Sequence, residues 1–197
     1  MSDLESLLKQ FQAYLAGVGK SDLTIKAYSH DVASFGQWWE QTTGRAFQPQ
    51  VVVSNDIVEY RGYLQRQGRK PATTNRRLNA LRKFFLWAKR KQLTTDTPFD
   101  ILENVFVKVQ KDVSPGWLAP NEQLALVRAV REKGNRRDLA IIQTFLGTGL
   151  RLSELAILKL SDLEITERRG TLFVRSGKGI KPPSVKYLHS DMIVALC

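Results

Sequence analysis

From Tyr60 to Thr95 the chain carries eleven lysines and arginines and no aspartate or glutamate. Inside that stretch Leu78, Leu81, Phe84, Phe85 and Ala88 return at helical spacing, so one side of a helix is aliphatic and aromatic. Arg76, Lys83 and Arg90 recur every seven residues on the other side. A helix so divided must bury its apolar stripe in protein, and no carboxylate of its own can neutralise its cations. Trp87 falls beside the basic side and is the one aromatic residue of this helix whose spacing leaves it open as a base-stacking platform. The others are expected in a core.

The whole chain has 197 residues and a formal charge of +11, with 30 basic and 19 acidic residues. Outside the acid-free window nineteen basic residues therefore face nineteen acidic ones, and all the net charge sits in the window. A field concentrated in this way suits a polyanion, of which DNA and RNA are the usual ones for a soluble protein. A merely solvated basic surface would spread the excess along the chain, and an anionic membrane surface ranks below both readings.

The first ninety residues read as four helices. Leu4, Leu7, Leu8, Phe11, Tyr14 and Leu15 keep helical spacing until Gly17 and Gly19. A second helix opens after Ser21, a candidate cap, and turns Leu23, Tyr28, Val32, Phe35 and Trp39 toward a core until Thr43-Gly44. A third runs from about Ser54 or Asn55 to Gln67-Gly68, and the fourth from about Pro71 to Lys91. Such a set makes a small bundle. Pro98, Pro115, Gly116 and Pro120 break the following stretch, so residues 1–107 are expected as one domain, 108–119 as a linker and 120–197 as a second domain. In the second, helices are expected from Asn121 to Glu132, from Leu139 to Leu146 before Gly147-Thr148-Gly149, and through Leu155 and Leu158. TLFVR and SVKYL, separated by SGKGIKPP, read as a β-hairpin, and SDMIVALC as the start of another helix. The fold class is mainly α with a small β-hairpin or sheet.

Several chemistries fall away by inspection. The single cysteine, Cys197, forbids an internal disulfide, and with two histidines a Cys/His zinc site is excluded. Gly177-Lys178 lacks the rest of a phosphate loop, and Gly147-Thr148-Gly149 is too short for a dinucleotide fingerprint. Asp162, Glu164 and Glu167 lie in one charged stretch without a histidine and read as a solvated face, and Ser153 has no histidine at a motif spacing. No cofactor and no metal are expected. No apolar run approaches eighteen residues and the N-terminus lacks the order of a signal peptide, so a reducing cytoplasm is the expected location. What remains is cationic. Arg151, after a Gly-x-Gly turn and at the start of LSELAIL, could give two parallel donors to phosphate oxygens or pair with Glu154 three residues on. Spacing alone favours neither. Lys178 at the hairpin tip is either solvated or placed to reach a leaving-group oxygen.

The string TFLGTGLRLSELAILKLSDLEI, followed by TLFVRSGKGIKPPSVKYLHSDMIVAL, strongly resembles the opening of the catalytic domain of tyrosine recombinases, the phage-integrase and Xer-type family. TIKAYSHDVASFGQWW and TTNRRLNALRKFFLWA are similar to that family's SAM-like core-binding domain. The resemblance spans about Leu4 to Leu196. It implies a four-helix core-binding domain followed by the first part of an α+β catalytic domain, closing around duplex DNA as a clamp. It also implies a reaction in which a tyrosine attacks the scissile phosphate, forms a 3′-phosphotyrosyl bond and releases a 5′-hydroxyl. By motif position Arg151 would stabilise the charge on the phosphate oxygens, Lys178 would protonate the departing oxygen, and Glu154 would orient. The DNA contacts would come from Arg69, Lys70, Thr73, Thr74, Arg76, Arg77, Lys83 and Arg90, and the family works on DNA as a tetramer.

One departure matters. The family's His-x-x-Arg motif and tyrosine nucleophile are not among these 197 residues. Tyr187 and His189 occupy the second hairpin strand and its exit, where the family has no catalytic residue, so Tyr187 is expected to pack in the strand and His189 to lie at the surface or a helix start. The expectation is a sequence truncated within the catalytic domain, which binds DNA without cutting it. Its rivals are a non-catalytic DNA-binding regulator derived from a recombinase, and an RNA-binding helical protein.

Overall fold

In the computed structural model the chain divides into two units, residues 1–112 and 113–197. The structure describes residues 3–102, 104–108, 116–166, 169–175 and 184–188. The N-terminal unit holds α1 (Asp3–Gly17), α2 (Asp22–Thr43), α3 (Ser54–Arg66) and α4 (Pro71–Arg90). Each boundary has a local cause. Gly44 takes a left-handed φ of 70° and donates its N–H to the Glu40 carbonyl, ending α2. The Glu40 carboxylate then accepts from the Phe47 N–H at 2.9 Å, turning the chain back. At the start of α3, the Asp56 carboxylate accepts from the Val53 N–H at 2.9 Å and from the Trp39 indole N–H at 3.1 Å. Pro71 enters α4 in its first turn, where its missing N–H costs nothing.

The core of this unit is aromatic. Phe84 meets Phe11 edge-on at 5.3 Å and Phe85 at 5.4 Å, and Phe35 meets Tyr60 at 5.1 Å. These are favoured edge-to-face arrangements, which add to the area each ring buries. Trp87 belongs to the same cluster, 5.4 Å from Phe11 and 5.4 Å from Phe84, and is buried. Its place beside the basic side of α4 does not make it a stacking platform, because α1 crosses that margin and covers it. Two readings of α2 are also corrected. Leu23 points to solvent at 81% exposure. The Ser21 hydroxyl pairs with Thr24 Oγ1 at 2.9 Å rather than with a backbone N–H.

The second unit begins with α5 (Pro120–Glu132), α6 (Arg136–Thr148) and α7 (Leu152–Ala156). Three antiparallel strands follow, β1 (Leu163–Ile165), β2 (Gly170–Val174) and β3 (Ser184–Leu188), in the order β1-β2-β3. The expected hairpin is β2–β3, with Val174 opposite Ser184 and Gly170 opposite Leu188. Leu172, Val174 and Leu188 pack with Leu150, and Leu155, Leu158 and Leu163 lie against them. The short β1 escaped the pattern because three residues show no alternation. The mainly helical fold with a small sheet is as expected.

Two side chains depart from the reading. Tyr187 is 78% exposed and does not pack in the strand. Asp162 is not a solvated acid: it is buried, accepts from the Lys159 N–H at 2.9 Å and pairs with Arg175 at 2.6 Å. The backbone N–H and the guanidinium hold its carboxyl below the usual carboxylate range. Glu164 is exposed as expected, while Glu167, Lys178, His189, Cys197 and the SDMIVALC segment lie outside the described residues. Among the described residues no helix is long and apolar enough to cross a membrane.

Phe84 sits at the centre of the aromatic cluster, so F84A should cost about 3–5 kcal/mol in urea unfolding of the N-terminal unit. Asp100 supplies a pH signature. Its carboxylate accepts from the Thr97 hydroxyl at 2.7 Å, the Thr97 N–H at 3.0 Å and Lys89 at 3.1 Å, bonds that hold its pKa down to about 2. A folded pKa below the unfolded value stabilises above about pH 4, and that stability is lost as the pH falls through about 2. Unfolding measured from pH 5 to pH 2 should show this loss, and D100N should lack that component.

Candidate nucleic-acid interface

The exposed side of α4 forms one wall of a surface groove of ≈ 470 Å³. Lys20, from the turn between α1 and α2, joins Arg76, Arg82 and Lys83 of α4 there. Asn75, Asn79 and Leu86 run between them, with Tyr28 of α2 on the far side. No acid is among the described residues lining it. Four cations around an acid-free groove create the positive potential that an anionic backbone seeks.

Beneath the groove lies a buried carboxylate. Asp31 of α2 is fully buried, its Oδ2 accepts from Arg76, and its Oδ1 stands 3.7 Å from Arg77 Nε. Arg77 also donates to the Tyr60 hydroxyl at 3.4 Å. Burial raises the Asp31 pKa, and the two arginines oppose that rise. Arg76 remains 44% exposed at the groove, whereas Arg77 keeps only 14%. Two arginines that look equivalent in sequence thus have different positions: one faces out and one is drawn inward.

Of the eight expected contact residues, the groove gathers Arg76 and Lys83. Arg69 and Lys70 are exposed just before α4, and Thr73 is half-buried. Arg90 is exposed at the other end of the helix, donating to the Tyr14 hydroxyl at 3.2 Å. Thr74 is fully buried and Arg77 nearly so, because their positions on α4 face α2 and α3, so neither offers a surface. Sequence reasoning missed Arg82, Asn79 and Lys20 as groove residues. Projecting α4 on a wheel finds the first two, since both fall on the side away from Phe84. Lys20 comes from another element and carries no such signal.

In the second unit, α6 ends at Gly149 in a left-handed φ of 64°, and Arg151 occupies the cap of α7. The buried Glu154 carboxylate accepts from the Arg151 N–H at 2.8 Å and from its guanidinium at 2.7 Å. The ion pair with Glu154 therefore exists. It does not bury the cation, whose side chain stays 56% exposed. One carboxylate closes the turn and fixes the guanidinium at once.

Comparison with known proteins bears on both units. Residues 8–92 match the family described as phage integrase, N-terminal SAM-like domain. The tyrosine recombinase XerD of Chlamydia pneumoniae is 35% identical over 162 residues, 79% of this chain and 50% of that protein. The chain belongs to the tyrosine recombinase family. Another recombinase relative, the TnP I resolvase of Bacillus thuringiensis, is 28% identical over 190 residues, 95% of this chain. The chain spans 64% of that resolvase's length, as it spans half of XerD's. Among solved structures, XerH bound to a palindromic difH substrate in a post-cleavage complex matches with a TM-score of 0.70 at 20% identity, covering 88% of this chain and 51% of that one. A lambda integrase dimer bound to a COC′ core site matches with a TM-score of 0.65 at 20% identity, covering 96% and 50%. At that identity the likeness concerns the recombinase fold alone.

E154A removes the acceptor of the Arg151 N–H together with the partner of its guanidinium. It should cost about 1–2 kcal/mol, read as a lowered thermal midpoint of the second unit, with most of the loss coming from the buried cap.

Proposed function

We propose that this chain acts in site-specific DNA recombination, gripping duplex DNA through the groove on α4 and presenting Arg151 to a DNA phosphate. The acid-free, four-cation groove of the N-terminal unit carries this reading. Its shape and charge suit a phosphate backbone, and the folded aromatic core leaves it facing outward. Membership of the recombinase family adds the chemistry. Arg151, fixed by Glu154 yet more than half exposed, is suited to meet the charge that develops on the phosphate oxygens. Glu154 then orients rather than reacts. Lys178, outside the described residues, takes the part of general acid toward the departing 5′-oxygen. The reaction needs a tyrosine nucleophile, which here no family motif supplies within the 197 residues, so these residues bind duplex DNA without cleaving it by themselves. Copies of the chain associate on the DNA they bind. The setting of this work is the cytoplasm.

If about six cations contact phosphates, log affinity for duplex DNA should fall against log salt with a slope near −5, at roughly −0.9 per contact. R82E/K83E should weaken binding and flatten that slope by about 2. Neither residue pairs with the buried Asp31, which holds Arg76 and Arg77 instead, so the fold survives the change. Anisotropy titrations from low to high salt read both effects. Incubation with a nicked suicide duplex, followed by denaturing electrophoresis, should show no covalent protein–DNA adduct. Salt-independent binding, or stronger binding to structured RNA than to duplex DNA of equal length, would overturn the proposal.

A further inference from the structure

Two asparagines one turn apart on α4 have different fates. Asn75 is half-buried and both ends of its amide are occupied: Nδ2 donates to the Val107 carbonyl at 2.8 Å, and Oδ1 accepts from the Val107 N–H at 2.8 Å. Asn79 is exposed in the same groove and has no hydrogen-bond partner among the described residues. A primary amide that donates and accepts side by side, held at the surface of a regular helix, has the geometry to pair with the N6 and N7 edge of adenine.

The surroundings of Asn79 favour base edges over phosphates. Residues 75, 79, 82 and 86 follow one another at steps of four, three and four, so they form a single line along the middle of the exposed side of α4. Arg76 and Lys83 form a second line beside it, toward Lys20 and Tyr28. Cations on the flank suit the sugar–phosphate ridge. Asn79 and the 40% exposed Leu86 occupy the middle line on either side of Arg82, where a helix seated in a major groove meets base edges. A leucine left open among cations serves no core, and an apolar tip there matches the methyl group of thymine. The two side chains are seven residues apart, about 10 Å along the helix, or about three base pairs of rise.

We infer that Asn79 and Leu86 determine sequence specificity, Asn79 reading an adenine and Leu86 a thymine methyl about three base pairs away, while the flanking cations hold the backbone without regard to sequence. This inference rests on the proposed binding of duplex DNA by the α4 groove and names the residues that select the site.

The test uses the full chain and a pool of random-sequence duplexes, selected in parallel by the wild type, N79A, L86A and K83A, with competition titrations on the selected site. N79A places a stronger helix former on an exposed helical position, so folding is not at stake. The wild-type pool should be enriched in adenine at one position and thymine about three base pairs away. N79A should lose the adenine preference by about five-fold or more, and L86A the thymine preference, each with the salt slope unchanged. K83A should keep both preferences and weaken every sequence alike. A wild-type pool without enrichment, or an N79A pool that matches the wild type, would overturn the inference while leaving duplex binding standing. Absence of any salt-dependent duplex binding by the wild type would overturn the functional reading with it.

Discussion

The aromatic contacts around Phe84 and Phe85 hold α4 against α1 and α2, and every other property of the N-terminal unit follows from how much of that helix they occupy. Phe11, Phe35 and Phe47 meet Phe84, Phe85 and Trp87 along one side of α4. What is left is a strip of polar and basic residues that no other element covers. An acid-free helix surface cannot neutralise itself, so once the core is formed the strip becomes a standing positive field. Core packing and polyanion binding are therefore two consequences of one helix.

Charge in this strip is not shared equally among its arginines. Asp31 pulls Arg77 into the protein beside Tyr60 and anchors Arg76 at the groove wall. A buried carboxylate between two guanidiniums loses hydration and regains part of it as ion pairs, so it serves arrangement more than stability. Arg76 is held in place before a ligand arrives, which lowers the ordering cost of any contact it makes. In the second unit, Glu154 does the same for Arg151 at a helix cap. Both units use a buried acid to aim an arginine that stays partly in solvent.

Much of the fold could be read from pattern. The four helices of the first unit, the hairpin strands and the turn before Arg151 all carry strong local signals: apolar spacing, glycines at left-handed ends, and a proline in the first turn of α4. Elements without such signals escaped. β1 has three residues, too few for alternation, and Asp162 looked solvated because its partner, Arg175, is thirteen residues away. Trp87 looked marginal on the wheel of its own helix, since nothing in that wheel says where α1 will cross.

What the amino-acid order determined by itself was local and one-dimensional: helix period, cap chemistry, the confinement of net charge to one window, and the motif around Arg151. These depend on neighbours within a few residues, so they survive without knowledge of the fold. Tertiary structure decided which cations reach solvent, which asparagine of α4 stays free, and that Lys20 joins the groove. Those outcomes depend on side chains brought together from distant positions, where burial and ion pairing compete in space and no spacing rule can rank them.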